Sequence, residues 1–312
     1  MFDIIRYTSE KVQEWNAFVA TSKNGTFLFN RGYMDYHSHR FEDCSLMFYR
    51  DGSLFAVMPA NAEGDTWCSH RGLTYGGVVM QESATAEKIQ QLFRELNEYL
   101  RRAGFGRVVY KTVPHIFHRI PAEEDWYSLF SICQARLVDR SLSSAIDLQR
   151  PLRWSRDRKY GVNKAFANGV LVGESDNWAG FWEVLTTNLK NKYGARPVHT
   201  LEEIELLHSR FPENIRLFVA EKDGIVLGGT VIYITETVVH SQYISASAEG
   251  KRLRVIDLLF DYLLHDRQWQ ARYFDFGTSN EDDGRVLVEP LIYQKEGFGG
   301  RGVCYDWYEW SL

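Results

Sequence analysis

The chain has 312 residues, of which 45% are apolar and 14% are aromatic, so it holds too many buryable side chains for a disordered protein. Its 36 Lys and Arg residues against 41 Asp and Glu residues leave a net charge of −5, so binding to nucleic acid or phosphates would require a local basic patch. A chain of this length predicts about two domains.

Cysteine usage and the N-terminus indicate the compartment. The four cysteines, at positions 44, 68, 133 and 304, are too widely spaced for a redox pair or a zinc site, so we expect small buried hydrophobic residues in a reducing compartment. The histidines show no metal-ligand spacing. The sequence shows neither a secretory signal pattern at its start nor an apolar run of transmembrane length. It therefore predicts a cytoplasmic protein without a membrane span and without a metal.

The first half alternates helical and strand patterns. Residues 9–20 have an apolar face at helical spacing and begin at Ser9, a candidate N-cap. Residues 46–49 and 54–57 are strand-like runs on either side of Asp51-Gly52, which predicts a β-hairpin. Residues 84–103 predict a second helix that ends before Gly104, and residues 107–111 predict the following strand.

The second half repeats this order, with a helix over 178–189, a hairpin over 217–234, a helix over 254–269 and a strand over 272–276. The hairpin turns Asp51-Gly52 and Asp223-Gly224 are 172 positions apart, whereas Arg107 and Arg272 at the later strands are 165 apart. This near-constant offset predicts a duplicated α+β unit, with domains at 1–150 and 151–312. The sequence pattern does not decide whether the last strand, residues 303–312, belongs to the second sheet or returns to the first.

Two segments of the second half carry a sequence resemblance. Residues 153–170 form a basic helix pattern that ends in Lys-Ala-x-x-x-Gly-Val, and residues 274–280 read FDFGTSN. Residues 295–299 match Lys-x-x-Phe-Gly. Together these segments resemble the second half of the Fem-type (FemAB-like) peptidyltransferases, which are tandem GNAT-fold N-acyltransferases. The likeness covers residues 151–300, and in the first half it rests on HRGLTYGG at residues 70–77.

The resemblance implies an α+β fold of two tandem GNAT-like (acyl-CoA N-acyltransferase fold) domains, each a mostly antiparallel twisted sheet flanked by helices. It implies an N-acyl- or aminoacyltransferase for a cell-envelope precursor in peptidoglycan, capsule or lipid-sugar synthesis, with the substrates meeting between the domains. Two alternatives stay open. One is an acyl-CoA-dependent acetyltransferase of a small amine, and the other is a catalytically silent module that binds a nucleotide-sugar or a partner.

The segments that would bind the acyl donor differ from the patterns of related enzymes. GNAT enzymes that use coenzyme A hold its pyrophosphate with a Gln/Arg-x-x-Gly-x-Gly/Ala loop, and the matching residues 247–253 keep Gly250 alone. The coiled-coil arm of many tRNA-dependent relatives is missing from residues 170–300. We therefore expect no required cofactor and either acyl-CoA or aminoacyl-tRNA as donor. The expected acceptor is a small molecule or a lipid- or nucleotide-linked sugar, and the oligomeric state is left open.

The resemblance and the chemistry of acyl transfer suggest site residues. Lys295, in the Lys-x-x-Phe-Gly element, is the foremost catalytic candidate, because a cation in a tight cleft stabilises a developing oxyanion. Tyr243 and Asp275 are available for proton transfer, and direct attack on a bound donor is expected because no nucleophile elbow occurs. The substrate-binding candidates are His70, Arg71, Tyr75, Gly76, Gly77, Arg156, Lys164, Asn280, Tyr293 and Phe298.

Overall fold

The computed structural model describes residues 1–312 apart from the side chain of Tyr193, and the chain divides into two compact units. Unit 1 comprises residues 1–142, 280–287 and 303–312, and unit 2 comprises residues 143–279 and 288–302. The first division falls at 142/143, whereas the sequence predicted a border at 150/151. The last run of the chain, which the sequence left unassigned, belongs to unit 1.

The elements of the first half are strands and helices in mixed order. The strands are β1 (Asp3–Arg6), β2 (Glu42–Asp43), β3 (Leu46–Arg50), β4 (Ser53–Met58), β5 (Asn61–Glu63), β6 (Thr66–Cys68), β7 (Val79–Met80), β8 (Arg107–Lys111) and β9 (Arg136–Asp147). The helices are α1 (Val12–Thr21), α2 (Arg31–Met34), α3 (Ala86–Arg102) and α4 (Glu124–Ser131).

The second half contains the remaining elements. The helices are α5 (Arg156–Ala167), α6 (Trp178–Tyr193), α7 (Leu201–Arg210), α8 (Ala248–Leu253), α9 (Val255–Asp261) and α10 (Glu289–Gly297). The strands are β10 (Leu171–Glu174), β11 (Ile215–Lys222), β12 (Ile225–Ile234), β13 (Val238–Ala246), β14 (Tyr273–Thr278), β15 (Asn280–Glu281), β16 (Val286–Leu287) and β17 (Arg301–Ser311).

Each unit is built on a mostly antiparallel arrangement of strands. In unit 1 the strand orders are β1-β3-β4-β7 and β17-β8-β6-β5-β2, and the β6–β8 pair is parallel. In unit 2 the order is β10-β11-β12-β13-β14, followed by residues 143–147 of β9, and the β13–β14 pair is parallel. Within unit 1, β17 pairs antiparallel with β8. The α+β class and the mostly antiparallel sheets are therefore confirmed.

Most helices follow the predicted patterns, with exceptions at their ends. Ser9 lies inside a 3₁₀ turn that precedes α1 and caps no helix. The basic helix begins at Arg156 with Ser155 as its N-cap, and therefore starts later than Arg153. The predicted helix over 254–269 is shorter, because Arg254 is left-handed and α9 passes into a π-helical turn after Asp261. Gly104 follows α3 with φ of 90°, as expected of a helix stop.

The predicted duplication is confirmed residue by residue in the two Asp-Gly hairpins. Asp51 and Asp223 both have φ of 51°, and the glycines that follow both have φ of 77°. The β3–β4 hairpin is bulged between Phe48 and Tyr49, and the β11–β12 hairpin is bulged between Ala220 and Glu221, again 172 positions later. A bulge at the equivalent position of both hairpins supports a duplicated unit, because each bulge alters the twist and register of its strands locally.

The parallel ladders of the two units repeat as well. Residues 66–68 of β6 pair with residues 107–109 of β8, and residues 238–240 of β13 pair with residues 273–275 of β14. The offset is 172 for the first strand of each pair and 166 for the second. Unit 1 therefore contains six more residues between these strands. The pairings of β7 and of the end of β13 place the extra residues in the segment 69–78.

Each unit buries its own core. In unit 1 the core contains apolar residues of α3 such as Leu92 and Phe93, together with Trp310 of the last strand. In unit 2 it is formed largely by α9, β14 and Phe298. All four cysteines are free thiols; Cys304 is half-buried and the other three are buried. Among the described helices, none combines the length and apolar content needed to cross a membrane.

Candidate functional site

The strands β13 and β14 of unit 2 part after three paired residues. The last pair is His240 with Asp275, although β13 continues to Ala246 and β14 continues to Thr278. Beyond that pair both strands are irregular: Gln242 is the extra residue of a bulge in β13, and β14 shifts register against β9 between Asp275 and Thr278. Beyond that pair, the facing backbone edges of β13 and β14 are not hydrogen-bonded to each other or to another described strand.

A buried acid and a histidine form the last pair. Asp275 is fully buried, accepts a hydrogen bond from the Ser143 hydroxyl, and has its Oδ2 atom 2.7 Å from His240 Nδ1. A carboxylate at this distance holds the proton on Nδ1 and fixes the orientation of the imidazole ring. Gly277 has φ of 76°, and a Cβ atom there would lie 3.5 Å from His240 Cε1, so this glycine leaves space beside the ring.

Lys295 lies close to this pair. It is on α10, and its side chain is buried. Its ammonium donates hydrogen bonds to the backbone carbonyls of Gly277 (2.7 Å) and Thr278 (2.8 Å), and burial lowers the pKa of Lys295 to about 8. Lys295 ties α10 to the irregular end of β14.

Tyr243 lies on β13 beyond the parting. Its Oη atom is 2.6 Å from His199 Nδ1 and accepts a hydrogen bond from the backbone N–H of the same histidine at 3.3 Å. Its ring also packs edge-on against Trp182 of α6, with ring centroids 5.4 Å apart. Burial raises the pKa of Tyr243 to about 12, so the phenol carries its proton at neutral pH. It is therefore equipped as a proton donor.

Several buried oxygens near the parted strands have no hydrogen-bond partner among the residues that the structure describes. Two belong to β13, Gln242 Oε1 and Ser245 Oγ, and one belongs to Ser279, directly after β14. An unsatisfied buried polar group costs about 1–3 kcal/mol, so such groups are expected to bind a ligand or water. A polar ligand or water that enters beyond the last strand pair would supply the missing partners.

The segment that follows β13 lacks a free backbone amide at Gly250 and carries an acid at Glu249, so it is poorly suited to bind a pyrophosphate. The amide of Gly250 donates to the Ser247 hydroxyl at 3.0 Å, and a Cβ atom at Gly250 would overlap the carbonyl oxygen of Leu227. The glycine is thus required for packing α8 against β12. Glu249 places a negative charge in the first turn of α8, where it opposes the binding of phosphate.

The substrate-binding candidates of unit 1 are packed into the fold rather than exposed to a ligand. His70 is buried with φ of 59°, and burial lowers its pKa to about 3. The Tyr75 hydroxyl is 2.9 Å from that of Thr26. A Cβ atom at Gly76 would overlap the Ser69 carbonyl oxygen, and one at Gly77 would lie 2.6 Å from Tyr110 Oη. These four residues do not form the predicted binding surface.

Arg71 is the exception in this segment, because it is partly exposed. Its guanidinium pairs with Glu63 at 3.2 Å and lies over the Trp307 ring at 5.2 Å. Asn280, another candidate, bridges backbone groups in unit 1, where its side chain accepts from the Leu142 amide and donates to the Gly284 carbonyl. Both contacts hold the local fold together.

The candidates of unit 2 also divide by exposure. Arg156 is exposed on α5, Lys164 is half-exposed on the same helix, and Tyr293 exposes 64% of its surface on α10. Phe298 is buried and stacks on Phe276 with centroids 5.7 Å apart, so it belongs to the core. Of the predicted site residues, the structure brings Asp275 and Lys295 together around the end of β14.

Sequence reasoning missed His240 and Ser143. They are 97 positions apart, and both contact Asp275 because β9 and β13 flank β14, so no local spacing pattern marks them. The available signal was the alignment of repeats, which sets His240 opposite Cys68 at the end of each parallel ladder. No group of three metal-ligating side chains occurs among the described residues.

Comparison with known proteins identifies the fold of this unit. Residues 155–283 match the family model of the Acetyltransferase (GNAT) domain. These residues are a GNAT domain. FemX is structurally similar over 99% of this chain and 97% of its own, with a TM-score of 0.70 and 13% identity. No curated protein matches the sequence.

Two further structures extend the GNAT likeness to the whole chain. One is the C-terminal domain of a provisionally assigned lysylphosphatidylglycerol synthetase from Agrobacterium fabrum. The similarity covers 97% of this chain and 92% of that domain's chain, with a TM-score of 0.62 and 16% identity. The other is a tandem GNAT protein from the clavulanic acid biosynthesis pathway. The similarity covers 100% of this chain and 98% of that protein's chain, with a TM-score of 0.53 and 11% identity. The fold is thus a tandem GNAT fold, and its GNAT domain is that of an acyltransferase.

Proposed function

We propose that unit 2 transfers an acyl or aminoacyl group to an amine of a cell-envelope precursor, at the place where β13 and β14 part. The observation that supports this most is that β13 and the residue directly after β14 carry buried oxygens without partners beyond the last strand pair. Peptide-like amides of a donor or acceptor could bind along unpaired strand edges in the manner of an added strand. The position within a GNAT domain makes acyl transfer the chemistry to expect.

In the proposed reaction the neutral amine of the acceptor attacks the carbonyl carbon of the donor. A C–N bond forms, the C–O or C–S bond of the donor breaks, and the leaving oxygen or sulfur must gain the proton that the nitrogen loses. Tyr243 would supply the proton to the leaving group from its phenol, which is protonated at neutral pH. His199, at 2.6 Å, is placed to exchange a proton with it.

Asp275 and Lys295 would act as positioning residues. Asp275 orients His240, and Lys295 holds the carbonyls of Gly277 and Thr278 in place. Both residues thereby maintain the shape of the parting. The earlier role for Lys295, in which its cation stabilises the oxyanion, conflicts with an ammonium already bound to two carbonyls.

An aminoacyl ester is the donor that the contacts favour. Glu249 opposes a pyrophosphate at α8, and Gly250 serves packing, so coenzyme A lacks a cradle there. One structural neighbour is named as a lysylphosphatidylglycerol synthetase, which supports an aminoacyl group and an envelope acceptor for this chain. We therefore propose aminoacyl-tRNA as donor and a lipid- or nucleotide-linked sugar, or peptide, as acceptor.

A transfer assay tests the proposal. The protein is incubated with amine-bearing envelope precursors and either a radiolabelled charged-tRNA mixture or radiolabelled acetyl-CoA. Transfer from tRNA supports the proposal, whereas transfer from acetyl-CoA alone favours the small-amine acetyltransferase. Inertness with both donors, together with retained precursor binding, indicates a silent binding module.

A variant pair tests the role of Tyr243. Tyr243→Phe should lower turnover by about 10² or more, the scale of losing a general acid. Tyr160→Phe, a change of the same kind at an exposed tyrosine of α5, should have no such effect. Equal turnover in Tyr243→Phe and in the native protein would remove Tyr243 from proton transfer.

A further inference from the structure

Unit 2 contains a cavity that shares no lining residue with β13 or β14. Its volume is about 490 Å³, within the range of small-molecule sites of roughly 300–1,000 Å³. It opens beside the N-terminal half of α5 and the C-terminal end of α9. Most of its wall is apolar and comes from Ile146, Leu148, Pro151, Leu152, Trp154, Val162, Leu264 and Phe298.

Two cations and one acid line this cavity, so its charged groups leave a net positive charge. Arg153 and Lys159 are exposed and line it, and no carboxylate among the described residues pairs with either. One acid, Asp261, also lines the cavity, and its carboxylate is 2.8 Å from His265 Nδ1. Asn163 adds an amide. The cavity therefore combines an apolar wall with positive charge.

The aromatic wall favours a hydrocarbon chain over a nucleobase. The Trp154 ring is already packed against His265, with centroids 4.8 Å apart, and edge-on against Phe298, with centroids 4.9 Å apart. A base would need an open aromatic face on which to stack. A flexible chain needs only apolar contacts, which this wall provides.

The exposed surface next to the cavity has the same character. Lys159, Val162 and Asn163 line the cavity at helical spacing, and Phe166 is the next residue of that stripe. Phe166 exposes 75% of its surface, and Leu152 exposes 47%. Exposed apolar side chains beside cations suit a ligand that is itself both apolar and anionic.

We propose that this cavity binds an anionic amphiphile, a hydrocarbon chain that carries a phosphate group. The chain lies against the apolar wall, and the phosphate lies between Arg153 and Lys159, which donate charge-assisted hydrogen bonds to it. The proposal goes beyond the transfer reaction, because binding here requires neither a donor nor turnover. The phosphate could belong to a membrane lipid or to a free single-chain phosphate.

Calorimetry with dodecyl phosphate, below its micelle concentration, tests the site. The native protein should bind dodecyl phosphate at least about tenfold more tightly than dodecanol or inorganic phosphate, because each of these supplies half of the interaction. Lys159→Glu should weaken binding by about tenfold or more, and Arg252→Glu is the matched control with the same charge change on exposed α8. Val162→Trp, which fills the cavity, should weaken binding with the cations intact.

The outcomes separate the ligand sources and can overturn the proposal. Flotation with phosphatidylcholine vesicles, with and without phosphatidylglycerol, asks whether a bilayer lipid is captured. Binding of dodecyl phosphate together with the anionic vesicles supports a lipid ligand, and binding of dodecyl phosphate alone supports a free single-chain phosphate. Failure to bind dodecyl phosphate overturns the site, as does equal weakening by Lys159→Glu and Arg252→Glu. Thermal melting of each variant separates lost binding from lost folding.

Discussion

Replacing Lys295 with methionine should change how the stability of unit 2 depends on pH. The ammonium is buried against two carbonyls, and its pKa in the folded chain is about 8, compared with an ordinary value of 10.5. Below pH 8 both the folded and the unfolded chain hold this proton, so the group adds no pH dependence there. Between pH 8 and 10.5 the folded chain releases the proton while the unfolded chain keeps it.

The sign of the effect follows from that difference in bound protons. Because the unfolded state binds more protons in this window, the free energy of unfolding rises with pH by about 1.4 kcal/mol per unit, or about 3 kcal/mol across the window. The neutral amine still donates to the carbonyls of Gly277 and Thr278, so the hydrogen bonds survive deprotonation. Lys295→Met lacks the titrating group and should lack this rise.

Urea unfolding of both proteins, at pH values from about 7 to about 10, measures the difference. Lys190→Met, at an exposed lysine of α6, controls for the loss of one positive charge. The difference between native protein and Lys295→Met should grow in favour of the native protein above pH 8. A difference that stays constant would mean that the ammonium is solvated in the fold. Lost turnover without this pH signature would restore Lys295 as a catalytic cation.

Two further predictions concern the donor and the packing of unit 2. Coenzyme A should bind weakly or not at all in calorimetry, because Glu249 and the packed Gly250 oppose a phosphate at α8; micromolar affinity would contradict this. Gly161→Ala should lower the free energy of unfolding by about 1–3 kcal/mol, because its Cβ atom would overlap the Asp257 carboxylate where α5 packs on α9. Gly173→Ala meets no atom within 4 Å, so its change should stay within about 0.5 kcal/mol, and equal effects of the two substitutions would refute the packing argument.

Local patterns predicted the elements better than they predicted the site. The Asp-Gly turns and the helical spacing of α3 are local features, and the structure reproduces both. The start of α5 differs from the predicted one because the Ser155 side chain caps the helix at the Arg158 amide, whereas the basic run already begins at Arg153. Site geometry depends on contacts between distant segments, as with Ser143 and Asp275, and no periodicity within one segment reports such contacts.

The glycines predicted to contact a ligand show the same limit. Gly76-Gly77 permit close approach, and the sequence cannot say what approaches. In the structure the approaching groups are the Ser69 carbonyl and the Tyr110 hydroxyl of the protein itself. The plainer interpretation of a glycine pair, a tight turn, therefore describes these residues.

Comparison of the repeats shows how the two units differ where their parallel strands part. The parallel ladders of the two units end at equivalent pairs, Cys68 with Val109 and His240 with Asp275, so each unit has a place where its strands could part. In unit 1 the six additional residues lie directly after that place, in the segment 69–78. This segment buries Leu73 and Tyr75, and so fills the space with the unit's own side chains.

The position two residues after the last pair of each parallel ladder differs between the two units. Gly277 lies two residues after Asp275 and has no side chain, whereas Lys111 lies at the equivalent point of unit 1. Lys111 is buried, with its pKa lowered to about 7 by burial, and its ammonium donates to the carbonyls of Arg71 and Leu73 within the extra segment. The lysine thereby fastens the segment in place. The same duplicated framework is thus closed in unit 1 by an inserted loop and its lysine. Unit 2 has neither feature, because glycine takes the place of the lysine and the six additional residues are absent.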